Sequence, residues 1–265
     1  MNPDDRPTNV TPSPADDASP ADDGPSPPAV RARYRIRFAK IGLLRWISHR
    51  DLAQLWERLA RRAALPLSMT EGFHPKPRIA FPSALALGIE SLDEVVEIEL
   101  SQVLEPSELL RRLRDDGQPG LVIRSAQRLP EHAAKARLDR SDYRIAIPED
   151  ADPAGLDAAI AAFRARESVS ITRKDKRVEA NVAEQIPVLE RCQDHLLLTL
   201  AAADGATLRP ADVLELLGGG DWIERGSKIV RTRVALRQEY APGGDHEIAH
   251  ADPDPNARHQ PTGGE

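Results

Sequence analysis

The stretch RYRIRFAKIGLLRWISHRDLAQLWERLARRAAL, residues 33–65, decides the fold, because its apolar period changes partway along from two to the helical spacing. From Arg33 to Phe38 the alternation puts Tyr34, Ile36 and Phe38 on one face of a strand and three arginines on the other. From Ser48 to Leu65, residues Leu52, Leu55, Trp56, Leu59, Ala60 and Ala63 recur at helical spacing, and Ser48 with Asp51 forms the S-x-x-D signature of a capped helix start. A half-buried strand therefore leads into an amphipathic helix.

Working outward, 67–86 contains three prolines and reads as an extended segment with a loop. Asp93 to Leu100 (DEVVEIEL) reads as a strand, Pro106 to Asp115 as a helix, and Leu121 to Arg128 as a further strand. The order is β-α-β-β-α-β. After Pro130 it recurs, with strands at Tyr143 to Pro148 and Ser168 to Arg173, a helix at Pro153 to Ala165, and a strand pair formed by Lys176 to Ile186 with Leu189 to Ala202. A helix at Pro210 to Leu217, ended by Gly218, and a strand at Lys228 to Leu236 complete it. The expectation is an α+β chain of two tandem ferredoxin-like sandwiches, residues 31–130 and 131–240, each an antiparallel sheet with helices on one face.

The flanks differ in kind. Residues 1–30 and 241–265 are rich in Pro, Gly and Asp with few large apolar side chains, so they read as disordered acidic tails. The front shows no secretory signal pattern, no run approaches the roughly 20 apolar residues of a membrane helix, and Cys192 stands alone, so a cytoplasmic location without disulfides is expected. Cys192 reads as a buried small hydrophobe. Trp46 and Trp56 read as core residues on or near the helix stripe.

Net charge is −6, but the tails carry −5 and −4, leaving +3 for residues 31–240. Within that core, residues 31–80 hold twelve Lys or Arg against three acids, whereas residues 81–130 hold five basic against nine acidic residues. The asymmetry points to an anionic partner for the first block.

Two segments of that block concentrate the chemistry. In EGFHPKPR, residues 71–78, Pro75 and Pro77 keep the backbone extended, so His74, Lys76 and Arg78 fall on alternate positions as a cradle for phosphate oxygens while Phe73 offers a face for a base. In KIGLLRWISH, residues 40–49, Gly42 permits a turn and the helix start after Ser48 would hold an anion beside Lys40 and Arg45, with His49 adding a hydrogen bond or a proton. His49 and His74 are also candidate catalytic residues, as a metal-independent acid and base on RNA. The chain has no phosphate-binding P-loop, no G-x-G-x-x-G, no H-E-x-x-H, no G-x-S-x-G and no iron–sulfur cysteine motif, so no cofactor or metal is expected.

The run LRWISHRDLAQLWERLARRAALPLSMTEGFHPKPRIAFPSALALGIES followed by DEVVEIEL closely resembles the N-terminal half of the radical-SAM-linked family of uncharacterised proteins. The shared pattern falls on Gly42, Ser48, His49, Asp51, Glu71, Gly72, Phe73, Pro75, Pro77, Arg78, Gly88, Glu90 and Ser91, and more loosely on Val230, Arg231 and Thr232. The resemblance spans roughly residues 32 to 238. It implies a domain similar to the C-terminal partner of cobalamin-binding radical SAM proteins, also found near or fused to an RNase E/G-type ribonuclease. Work with RNA beside such an enzyme follows as an expectation.

Three readings stand at this point. The first is a non-catalytic RNA-binding accessory protein whose basic helix and 73–78 loop hold an RNA backbone, with Lys40, Arg45, His49, Phe73, His74, Lys76 and Arg78 as the contact residues. The second is an RNA-acting enzyme using His49 and His74. The third is a protein-interaction scaffold that offers the acidic strand Glu94 to Glu99 and the tails to a ribonuclease or radical SAM partner.

Overall fold

The computed structural model describes residues 31–203, 207–240 and 247–248. The tails expected to be disordered lie outside the described residues except at β12 (Glu247–Ile248), which pairs antiparallel with β11 (Glu239–Tyr240).

The first half contains β1 (Ala32–Lys40), α1 (His49–Arg62), β2 (Ile79–Ala80), β3 (Glu90–Leu100), α2 (Pro106–Asp115) and β4 (Leu121–Arg128). β1 lies between β4 and β3, antiparallel to both, and the short β2 pairs with the far edge of β3. The period-two alternation decides which face is buried: Tyr34, Ile36 and Phe38 pack with Leu52, Trp56 and Leu59 of α1 and with Leu109 and Leu113 of α2. Trp56 is fully buried, its ring meeting Phe38 edge-to-face at 5.0 Å.

The second half runs β5 (Leu138–Ala146), α3 (Pro153–Arg164), β6 (Ser168–Arg173), β7 (Lys176–Asn181), α4 (Val182–Gln185), β8 (Val188–Cys192), β9 (His195–Ala201), α5 (Pro210–Leu216) and β10 (Ile229–Leu236). Both halves join one mixed, mostly antiparallel sheet of order β4-β1-β3-β10-β5-β9-β8. β6 and β7 form a separate hairpin, and β9 takes β8 and β5 as neighbours. The expected pairing of Lys176 to Ile186 with Leu189 to Ala202 is therefore corrected. Asn181 caps a helical turn that ends the first of these segments, its side chain accepting from the Glu184 N–H at 3.0 Å.

β3 and β10 meet in parallel at two positions, Val230 opposite Glu90 and Arg231 opposite Ser91. The seam between the halves is thus built from the G-I-E-S and V-R-T segments, far apart in sequence. No helix among the described residues is long and apolar enough to cross a membrane.

Candidate nucleic-acid interface

β1 is basic and β3 is acidic, and their register explains why. Arg33 sits opposite Glu99 and Arg35 opposite Glu97, so charges of opposite sign share the sheet face away from the helices. Arg35, 3 % exposed, donates through Nε and Nη2 to Glu97 Oε1 at 3.1 and 3.0 Å and through Nη1 to Glu239 at 3.1 Å. Arg37 donates to Asp93 at 2.7 Å and also to Glu239, and Arg33 lies 4.0 Å from Glu97.

Pairing extends beyond the strand. Arg45 donates to Glu90 at 3.1 Å, Arg61 to Glu57 at 2.8 Å, and Arg62 to both carboxylate oxygens of Asp116. Arg31 and Arg78 each lie 3.7 Å from Glu99. The basic surplus of residues 31–80 is thus largely the inner half of ion pairs whose outer half is the acidic surplus of residues 81–130. Among the described residues, Arg50, Arg58 and Lys76 are the exposed cations of that block that form no close ion pair, although Arg50 and Arg58 lie near enough to the Asp51 carboxylate to help lower it.

Lys40, expected at the anion contact, is buried instead. It occupies the helix-side face at the end of β1, and its Nζ donates to the Ile47 carbonyl at 3.2 Å. Beside it at the seam, Arg231 Nη1 donates to Glu94 at 3.1 Å and to Ser83 Oγ at 3.0 Å, Nη2 to the Ala84 carbonyl, and Nε to Tyr143 Oη at 3.2 Å. Burial pushes the Glu94 carboxyl above its ordinary range, which Arg231 opposes, and burial lowers the Lys40 ammonium, which Glu94 opposes. This cluster is interior. The acidic strand proposed as a docking stripe runs through the sheet with these carboxylates turned to arginines or toward the seam.

The start of α1 is closed by its own side chains. Ser48 Oγ accepts from the Asp51 N–H at 3.2 Å while the Asp51 carboxylate accepts from the Ser48 hydroxyl at 2.7 Å and from the Ser48 N–H at 3.3 Å. Those bonds hold the Asp51 carboxyl below its usual range. A carboxylate thus already occupies the position where an external anion was expected. His49 turns aside, its ring meeting Phe81 edge-to-face at 5.3 Å.

Residues 68–78 form a finger. Ser68 donates to the Glu99 carbonyl at 2.8 Å and Arg78 returns to the Ser68 carbonyl at 2.9 Å, fixing the base on β3. Higher up, Thr70 N–H donates to the Lys76 carbonyl at 2.8 Å and Lys76 N–H donates to Thr70 Oγ1 at 2.9 Å, so two strands of the finger brace each other. Gly72 turns the chain with φ +113°, a conformation costly for a residue with a Cβ. Phe73 stands at the tip fully exposed, with His74, Pro75 and Lys76 exposed beside it. Arg78 belongs to the base, its Nε donating to the Met69 carbonyl at 3.3 Å.

The structure therefore brings together Phe73, His74 and Lys76, and ties Arg45, Arg78 and Lys40 into the fold. No hydrogen bond or ring contact joins His49 to His74, and no group of three or more His, Cys, Asp or Glu among the described residues is placed to hold a metal ion. Arg50 and Arg58, on the helix expected to be basic but not among the residues singled out on it, are exposed on α1 opposite the apolar stripe. Trp46, expected in the core, is 55 % exposed: its ring lies against Gly88 at the edge of the seam, next to exposed Leu43 and Leu87.

Residues 33–210 match the model of a family described as "Uncharacterized protein conserved in bacteria (DUF2344)". No curated protein matches the chain.

Proposed function

The chain belongs to this uncharacterised bacterial family, and on that premise we propose that it is an RNA-binding accessory protein without catalysis of its own. The observation that carries this reading is the braced finger, which holds Phe73 fully exposed with Lys76 unpaired beside it. An aromatic ring held in water at the tip of a rigid element offers a stacking face to any unpaired base, and a neighbouring ammonium reaches the phosphate. Arg50 and Arg58 on α1 extend the cationic surface. The electrostatic contribution is modest, because among the described residues only three exposed cations of the basic block form no close ion pair.

Two finer statements belong to the same proposal. Each half is a ferredoxin-like sandwich: in both, the sheet order is fourth strand, first, third, second, namely β4-β1-β3-β2 and β10-β5-β9-β8, with β6, β7 and α4 as an insertion in the second. The accessory role is exercised beside a radical SAM enzyme or an RNase E/G-type ribonuclease, which supplies the chemistry. Support for that partner comes from the resemblance described above.

The test is fluorescence anisotropy with labelled single-stranded RNA over a salt series. Three phosphate contacts give a slope of log K against log salt of about −2, and Phe73→Ala weakens binding by about 1–3 kcal/mol. Binding that ignores salt, or that survives Phe73→Ala combined with Lys76→Ala unchanged, overturns the proposal.

A further inference from the structure

A second site lies away from the finger, on the helix side of the seam. The segment 84–89 crosses from the first half and leans on β5, β9 and the chain entering α5, leaving a cleft of ≈ 570 Å³. That volume suits a small organic molecule. Leu85, Ile89, Leu138, Leu200 and Leu208 supply an apolar wall, and polar surface makes up the larger part of the remaining lining.

The polar side chains lining it include two arginines with donors to spare and hydroxyls that can donate. Ser141, 2 % exposed, lines the cleft and its buried Oγ has no hydrogen-bond partner among the described residues. A hydroxyl reorients about one bond to meet an acceptor. Arg173 Nε is likewise buried without a partner. Tyr143 Oη accepts from Arg231 at 3.2 Å, which leaves its own hydrogen to donate. Arg209 stands exposed at the rim with no acidic partner among the described residues.

Among the described residues, no acidic side chain lines this space. The carboxylates that neutralise Arg231 and Arg173, from Glu94 and Asp212, lie outside the lining. Donors face inward and acceptors stand behind them. A buried polar group without a partner costs about 1–3 kcal/mol, and a ligand that accepts from these donors recovers part of that cost.

From the Arg173 and Arg209 guanidinium groups and the unpartnered Ser141 hydroxyl in the lining we infer that the cleft binds a small organic anion, an apolar body carrying one carboxylate or phosphate. The apolar part lies against Leu85, Leu200 and Leu208, and the anionic group is directed to Arg173, Arg209 and the two hydroxyls. The site is independent of the finger, and a small-molecule ligand at the seam would bear on both halves at once.

The test uses the full chain and the fluorescent anion 8-anilinonaphthalene-1-sulfonate. One saturable site is expected, with the uncharged analogue N-phenyl-1-naphthylamine binding at least tenfold more weakly. Displacement by 1-naphthoate or by 1-naphthyl phosphate then assigns the anionic group. Ala86→Trp, which places a large side chain at an exposed wall of the cleft, and Arg209→Glu, which reverses the rim charge without touching the core, each weaken binding at least tenfold. Phe73→Ala, which removes the exposed aromatic of the finger, leaves it unchanged. Absence of saturable binding, equal affinity for the uncharged analogue, or binding indifferent to Arg209→Glu overturns the inference, as does loss of the signal in Phe73→Ala.

Discussion

Arg35 and Lys76 belong to the same basic block and end in opposite environments. Arg35 lies in the sheet with Glu97 and Glu239 around its guanidinium, whereas Lys76 stands in water on the finger with no acidic partner. The contrast separates charge that specifies pairing from charge that meets a partner. A cation opposite a carboxylate across two antiparallel strands fixes register, because slipping by one residue would bring Arg35 to face an aliphatic side chain. A cation beside an exposed ring is held for something else. Counting charges along a sequence merges the two classes, so the basic surplus of residues 31–80 overstates the attraction an RNA would feel.

The sharpest way to break this division is to remove a paired cation from the seam. Arg231→Met leaves Glu94 buried without its counter-charge, and unfolding in urea should show a loss of about 3–5 kcal/mol. Adding Glu94→Gln should restore part of that loss, since a neutral amide replaces the stranded carboxylate while Lys40 keeps its bond to the Ile47 carbonyl. A loss in Arg231→Met below about 1 kcal/mol would place Arg231 with the exposed charges and erase the distinction.

A smaller effect follows from the direction of the Glu94 shift. Its carboxyl is raised in the folded state, so between the ordinary carboxylate range and the raised value the folded protein holds a proton that the unfolded chain has released. The stability owed to this residue therefore falls as pH rises through that window. Glu94→Gln does not titrate. The stability of the natural chain minus that of Glu94→Gln should be greatest at acid pH and decline toward neutrality, read from urea midpoints across a pH series. A flat difference would mean that the Glu94 carboxyl titrates alike in the folded and the unfolded chain.

Ser48→Ala tests the closed start of α1. Losing the cap should cost about 1 kcal/mol, with helix content retained by circular dichroism because the apolar stripe still packs. An unchanged midpoint would mean that water or Asp51 alone satisfies those N–H groups, and the helix start would again be available to an external anion.

Periodicity made the first half legible. Tyr34, Ile36 and Phe38 face Leu52, Trp56 and Leu59 as the alternation and the helical spacing required, and the S-x-x-D signature became a reciprocal cap. Burial of polar residues was illegible, because Lys40 and Arg231 are interior only through contacts with segments remote in the chain, Ile47 and Ser83 to Ala84 among them. Trp46 misled for the same reason: its position near the stripe suggested the core, yet the turn at residues 42–46 lifts it onto the Gly88 backbone. In the second half, two short strand-like runs at 168–181 paired with each other, and nothing in their sequence says that they leave the main sheet. The finger was legible as a proline-stiffened loop, but its bracing by Thr70 was not.

The smallest stability effect carries the most weight for function. Arg50, Arg58 and Lys76 touch no carboxylate, so changing all three to Ala should alter the unfolding free energy by less than about 0.5 kcal/mol per site. RNA binding should respond in a different way: each lost phosphate contact flattens the slope of log K against log salt by about 0.7, so the triple variant approaches salt independence while stacking on Phe73 persists. Arg35→Met should show the reverse, a destabilised protein whose surviving folded fraction keeps the natural salt slope. If both variants flatten the slope equally, the ion-paired strand and the exposed finger act as one surface, and the separation of Arg35 from Lys76 fails.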